Sequence, residues 1–285
     1  MENIFIKAVL RLLNARNNGD VAYLHIGAND GITLDPVADT ARQCGWSGIL
    51  VEPVPHVFSK LAENYQGYPQ TKVVNCAVGA ERGTVEFFVF DAEIEKYGIL
   101  HSEQLGSMRK ESLLNLKPTV GKSEDYIKSI LVECKPVDDV LADAGCGKLD
   151  LVVIDAEGCD YDVLRLVPIE RMKPPVIIYE NPPAEPASQA RSLLQSCGYA
   201  VTSLQFNTIA IHPDLLGPQA VEMLDWLYRE AASLHLNSHP IVNFVSRTGT
   251  FVSYRNDSGQ VNVQRVGDLT DVDRVCQLLL GRQPA

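Results

Sequence analysis

At 285 residues the chain is long enough for one large domain, or one domain with an appendage. Hydrophobic residues make up 46% and charged residues 21%, which excludes wholesale disorder. With 25 Lys and Arg against 36 Asp and Glu the net charge is −11, which excludes a broad basic face for nucleic acid or anionic lipid.

Residues 1–20 read as an amphipathic helix, with a membrane-surface helix as the alternative. Lys7 and Arg11 interrupt the apolar stretch. It is too short to span a bilayer and lacks the clean core and cleavage site of a secretory signal, so no integral membrane segment is expected. The seven cysteines include no C-x-x-C pair, and several sit in apolar runs. A disulfide framework or zinc knuckle is therefore not expected, and a reducing, cytoplasmic compartment is.

Five short apolar runs follow, most of them leading into a helical pattern. The first is Val21–Ile26; Asp35 then caps a helix with Pro36 at its first position and Gly45 past its end. The second is Ser47–Glu52, followed by Pro55, Val57, Phe58, Leu61, Ala62 and Tyr65 on one helical face. The third is Lys72–Val78 and the fourth Leu149–Asp155, the latter before a short helix at 160–167. The fifth is Pro175–Glu180, after which Ser188 opens a helix that Gly198 closes. Runs such as GILVE and LVVID are apolar on both faces, as in a parallel sheet covered by helices on both sides. The last two strands, Ala200–Gln205 and Thr208–His212, are joined too tightly to be anything but antiparallel. The expectation is an α/β, doubly wound, mostly parallel seven-stranded sheet with an antiparallel last strand, filling residues 21–212.

Two regions interrupt the alternation. Residues 83–136 hold a strand candidate, GTVEFFVF, a polar stretch, and then ILVECKPV. An insertion this long is a candidate lid or substrate wall. In residues 213–285, Pro218 starts a helix with Val221, Leu224, Tyr228 and Ala231 on one face. Thr250–Tyr254 and Gln260–Val266 then flank a turn and read as a hairpin. This extension is a candidate surface for a homo-oligomer.

The string HIGANDG, residues 25–31, carries the most information. Gly27 and Gly31 directly follow a strand, where glycine permits a tight turn and close approach of backbone to ligand. Glu52 ends the second strand about twenty residues on, where an acid can accept both ribose hydroxyls of an adenosine ligand. Asn75, at the next strand end, could read the adenine edge. These residues form one crevice at the carboxyl edge of the sheet.

The sequence resembles the FkbM-type family of S-adenosylmethionine-dependent methyltransferases. The matching strings are IGANDG (26–31), Asp35-Pro36, GILVEPVPHVF (48–58), NCAV (75–78), IDAEGCDYDVL (154–164), Glu180 and FNTIAI (206–211). The resemblance implies a class I Rossmann-like methyltransferase fold with S-adenosylmethionine in the crevice. The cofactor-binding set it implies is His25, Gly27, Ala28, Asn29, Gly31, Glu52, Pro53, Asn75, Ala77 and Asp155. Two departures stand out. The position before IGANDG often carries an acid, and here it is His25. Asn181 follows Glu180, and Asn207 stands where the family tends to show an acid.

Methyl transfer needs a nucleophile that is aimed, relieved of its proton and shielded from water. Asp155, Glu180 and His101 are the catalytic candidates. Three readings of the acids stay open. Asp155 could be a general base, or Asp155, Glu180 and Asn181 could hold Mg²⁺, an arrangement similar to catechol-type O-methyltransferases. Alternatively, the acids could only cap helices and loops. The leading function is O-methylation of a sugar hydroxyl or small secondary metabolite. The competing functions are a non-catalytic adenosine-binding or scaffolding protein and a nicotinamide-dependent oxidoreductase. The last should show G-x-G-x-x-G, which this chain lacks.

Overall fold

The structure is a computed structural model describing residues 2–99, 102–115, 121–181, 184–204, 206–213, 239–246, 249–255 and 261–267. The chain divides into two compact units, Val21–Ile211 and Met1–Asp20 with His212–Ala285. It opens with α1 (Glu2–Arg16), whose Ile6, Val9, Leu10 and Leu13 are fully buried at the i, i+3, i+4, i+7 spacing of an amphipathic helix.

The larger unit starts with β1 (Ala22–Ile26), α2 (Ala38–Cys44), β2 (Ser47–Val51) and α3 (Pro55–Asn64). The regular turns of α2 begin at Ala38, two residues later than the Pro36 start expected from sequence. Asp35 still serves its amides, with Oδ1 accepting from Val37 N at 2.7 Å and Ala38 N at 3.0 Å. Next come β3 (Thr71–Val74), β4 (Ala77–Val78), β5 (Gly83–Phe90), β6 (Gly106–Ser107), α4 (Lys110–Leu114), β7 (Ile127–Lys135) and α5 (Val137–Asp143). The unit continues through β8 (Leu151–Ile154), α6 (Asp160–Leu164), α7 (Ile169–Met172), β9 (Val176–Glu180), α8 (Ala184–Ser196), β10 (Ala200–Ser203) and β11 (Asn207–Ile211).

Seven of these strands form one sheet in the order β10-β11-β9-β8-β1-β2-β3. Every pairing among β9, β8, β1, β2 and β3 is parallel, and β11 runs antiparallel to both of its neighbours. This is the doubly wound sheet with an antiparallel last strand that the apolar runs and the family resemblance implied. Leu24, Ile26, Val152, Ile154 and Ile177 pack into the core on one face. The strand order reverses between β1 and β8, where open α/β sheets form their binding crevice.

The structure corrects the third apolar run. Lys72–Val78 reads as one strand, yet the chain breaks at Asn75-Cys76. β3 stays in the large sheet, while β4 joins a four-stranded sheet ordered β4-β7-β5-β6. The Asn75 amide accounts for the break. Its Nδ2 donates to the carbonyls of Glu52 at 2.8 Å and Pro53 at 3.1 Å, tying the turn to the end of β2. The insertion therefore builds a sheet of its own, whose Phe87 and Val132 pack with Val54, Val57 and Ala77.

In the other unit β12 (His239–Ser246), β13 (Gly249–Arg255) and β14 (Val261–Gly267) form an antiparallel sheet in that order. The expected hairpin corresponds to β13 and β14; β12 had not been anticipated. The helix expected from Pro218 lies outside the described residues. Among the described residues no helix is long and apolar enough to cross a membrane, and six cysteines are free thiols.

Replacing Asn75 with Ala removes both hydrogen bonds at the break while keeping the fold's apolar pattern. It should lower stability by about 1–3 kcal/mol, read as a drop in the denaturation midpoint with unchanged slope. An unchanged midpoint would contradict the bridging role.

Candidate functional site

A cavity of about 240 Å³ opens at the carboxyl edge of the large sheet. Its floor is made by the segments that leave β1, β2 and β8. Its wall comes from the insertion, through Phe87, Leu105 and Met108.

The first segment is fixed by glycine. Gly27 has φ 77°, and a Cβ there would overlap the Asp155 carbonyl oxygen. Gly31 has φ 70°, and a Cβ there would strike the ring of Tyr65 and the side chain of Leu61. Asn29 is also left-handed, at φ 52°. These dihedrals curl the loop so that it satisfies itself. Gly27 N and Ala28 N donate to Val51 O at 2.9 and 3.0 Å, and Gly31 N to Ala28 O at 2.8 Å. Asp30 N donates to Asn29 Oδ1 at 2.6 Å, while Ile32 N and Thr33 N donate to Asp30 Oδ1 at 2.9 and 2.7 Å.

Glu52 is buried at the end of β2 and lines the cavity. Its Oε2 accepts from Asn29 N at 3.0 Å and its Oε1 from Val54 N at 2.8 Å, so the carboxylate is held in one orientation. Each oxygen keeps a lone pair for a ligand. Burial pushes its pKa up to about 7, against the lowering by those amides.

His25, at the end of β1, also lines the cavity. Its Nδ1 lies 3.3 Å from Asp35 Oδ2, and both side chains are buried. Burial opposes the imidazolium, but the Asp35 carboxylate outweighs it and the His25 pKa is raised. Burial likewise opposes the Asp35 carboxylate, but the His25 charge and the α2 amides outweigh it and lower its pKa. Each thus favours the charged form of the other.

Four acids gather where β8 and β9 end. Asp160 is a structural clasp: its carboxylate accepts from Ala156 N at 3.0 Å and Gly158 N at 3.1 Å. Asp155 is different. Among the described residues no hydrogen bond engages its carboxylate, and the side chain is exposed where it lines the cavity. Partial desolvation by the neighbouring protein raises its pKa despite that exposure, although His25 pulls the other way. Glu157 sits at φ 45° on the same loop, and its carbonyl accepts from Ser107 Oγ of the insertion at 2.8 Å. An ion pair from Arg109 to Asp162 fastens the insertion to α6 as well.

Of the expected cofactor residues, His25, Gly27, Ala28, Asn29, Glu52, Pro53, Ala77 and Asp155 line the cavity. Gly31 and Asn75 do not: Gly31 packs on Tyr65, and the Asn75 amide faces the carbonyls of Glu52 and Pro53 rather than an adenine. Glu180 is off the cavity wall. Asn181 Nδ2 donates to Leu204 O at 3.0 Å and its Oδ1 accepts from Thr208 Oγ1 at 2.5 Å, so its amide stitches the β9 end to the β10–β11 hairpin. Among the described residues no three of His, Cys, Asp and Glu are grouped to hold a metal ion. His101 lies outside the described residues. The insertion was expected as a lid or wall, but not through Phe87, Leu105 and Met108, because their apolar character alone does not separate cavity lining from core. It noted Asn207 only as a departure from the family, and Asn207 lines the cavity.

The acids set a pH dependence. Burial comes first among the causes for all of them: Asp160 is pushed up to about 7, Glu180 to about 8 and Glu157 to about 9, with Asp155 adding to each. In the unfolded chain these groups release their protons near 4. Between those limits the folded state binds more protons than the unfolded state, so stability falls as pH rises. The thermal midpoint of the ligand-free protein should decline from about pH 5 to about pH 9, and Glu157→Gln should flatten the upper part of that decline. A midpoint that rises across this range would contradict the acid cluster.

No curated protein matches the chain. Among solved structures it is similar to a methyltransferase FkbM from Methylobacillus flagellatus KT, at 13% identity over 68% of this chain and 44% of that one, with TM-score 0.41. It is also similar to a Methanococcus jannaschii fibrillarin pre-rRNA processing protein (12% identity, 68% and 66% coverage, TM-score 0.35). A third is a precorrin-6y C5,15-methyltransferase from Geobacter metallireducens GS-15 (11% identity, 70% and 86% coverage, TM-score 0.33). The chain thus spans less than half of the first of these structures and 66% of the second. The profile of the methyltransferase FkbM domain matches residues 25–201, well over half of the 285 and covering both the β1–β2 crevice and the acids after β8, and the chain belongs to that family.

Proposed function

We propose that the cavity binds S-adenosylmethionine and that the protein catalyses methyl transfer to a hydroxyl of a sugar or small metabolite. The observation that carries this reading is the pairing of Glu52 with Asp155 on one cavity. Glu52 is an oriented acceptor for a ribose diol. Asp155, two strands away and so about 10 Å distant, is a carboxylate with no hydrogen-bond partner among the described residues. The residues fit the cofactor: each Glu52 oxygen keeps a lone pair at the cavity, and the acids favour a cationic ligand. The acceptor class rests on the family resemblance.

When bound, S-adenosylmethionine supplies an electrophilic methyl group on a sulfonium. The chain's own residues do the rest. Glu52 fixes the nucleoside end. The insertion wall, latched to the Glu157 carbonyl by Ser107, excludes water from the apolar side. Asp155, whose pKa the neighbouring protein raises, takes the proton from the attacking hydroxyl. Magnesium is not part of this reading, because Asn181 is engaged in the hairpin and Glu180 stays off the cavity wall. The free thiols suit the reducing cytoplasm.

Asp155→Asn keeps size but removes charge and basicity. Methyl transfer, followed by mass spectrometry on an acceptor panel, should fall by about 10²-fold or more while S-adenosylhomocysteine affinity changes far less. Transfer by the native protein should persist in chelator; loss that magnesium restores would reinstate the metal. Glu52→Gln should weaken S-adenosylhomocysteine binding by about tenfold. Normal turnover in Asp155→Asn would remove the base assignment, and unchanged affinity in Glu52→Gln would remove the ribose assignment.

A further inference from the structure

The glycine loop of a nucleotide-binding site usually offers backbone amides to an anionic part of its ligand. This loop offers none between Gly27 and Thr33. The amides of residues 27, 28 and 31 donate to Val51 O and Ala28 O, and that of Asn29 to Glu52. Those of residues 30, 32 and 33 are taken by the side chains of Asn29 and Asp30. The first amides of α2 are taken by Asp35, and those of Ala156 and Gly158 by Asp160.

A ligand with an α-amino-acid tail nevertheless brings a carboxylate that needs a donor. No Lys or Arg lines the cavity, and its charged side chains other than His25 are the acids Asp35, Glu52, Asp155 and Glu157. Asn207 and Gln104 contribute only neutral amides. His25 is the one lining side chain able to carry positive charge. Its Nδ1 lies 3.3 Å from Asp35 Oδ2 without a hydrogen bond, and among the described residues none engages Nε2.

Resting on the cofactor reading above, we infer that the His25–Asp35 pair is the subsite for the α-carboxylate of the cofactor's amino-acid tail, with Asp155 and Glu157 on the side of its ammonium group. The Asp35 carboxylate beside Nδ1 favours the protonated imidazole, from which Nε2 donates a charge-assisted hydrogen bond to the bound carboxylate. An acid at position 25 would stand beside the acids Asp155 and Glu52 and leave the carboxylate with no cation.

Calorimetric titration with three ligands tests this. S-adenosylhomocysteine carries the whole tail, its decarboxylated analogue lacks only the carboxylate, and methylthioadenosine lacks the tail. The native protein should bind S-adenosylhomocysteine about tenfold or more tighter than the decarboxylated analogue. In His25→Gln, with melting curves confirming the fold, the two should bind nearly equally, and methylthioadenosine should bind as in the native protein. Native protein that does not discriminate the two tailed ligands overturns the assignment without any variant. So does a variant in which all three ligands weaken alike. If none of the three binds the native protein, the cofactor reading itself fails and this subsite falls with it.

Discussion

No side chain fits at residue 27, and much of the site depends on that. The backbone of Gly27 lies so close to the Asp155 carbonyl that a Cβ would occupy the same space. Two neighbouring parallel strands thus end in van der Waals contact of their backbones, at the point where the strand order reverses. The contact puts the Asp155 carboxylate on the cavity beside the β1 loop. The loop takes left-handed turns at 27, 29 and 31, and within it Asn29 N reaches Glu52.

The electrostatics follow from the same geometry. Glu157, Asp160 and Glu180 crowd behind Asp155, and burial with their mutual repulsion holds them toward the protonated form. Such a cluster opposes folding at high pH and favours a cation at the cavity. His25, beside Asp35, is the one basic side chain on an otherwise acidic wall. A zwitterionic, sulfonium-bearing ligand matches that distribution better than a dianionic pyrophosphate does, because the loop amides that would cradle a pyrophosphate are already engaged.

Much of this was legible in the residues. Doubly apolar runs announced a parallel sheet, and the glycines and Glu52 at consecutive strand ends announced the crevice. What stayed hidden has physical causes. The break at Asn75-Cys76 leaves no mark, because both halves of KVVNCAV are equally apolar and only an amide bonding two distant carbonyls divides them. Glu180 and Asn181 end a strand in the sense expected, but end position does not say where a side chain's hydrogen bonds go; Asn181 turns to Leu204 and Thr208. The insertion's sheet depends on long-range pairing of β5 with β7 across a polar stretch. β12 is an edge strand with Pro240 at a register shift, and proline inside a run argues against a strand.

The central claim is that this crevice is built for S-adenosylmethionine. Competitive calorimetry of the native protein tests it most directly, with S-adenosylhomocysteine titrated in the presence and absence of a nicotinamide dinucleotide. The account predicts saturable one-site binding of S-adenosylhomocysteine that the dinucleotide does not displace. Absence of binding, or displacement by a more tightly held dinucleotide, would contradict it.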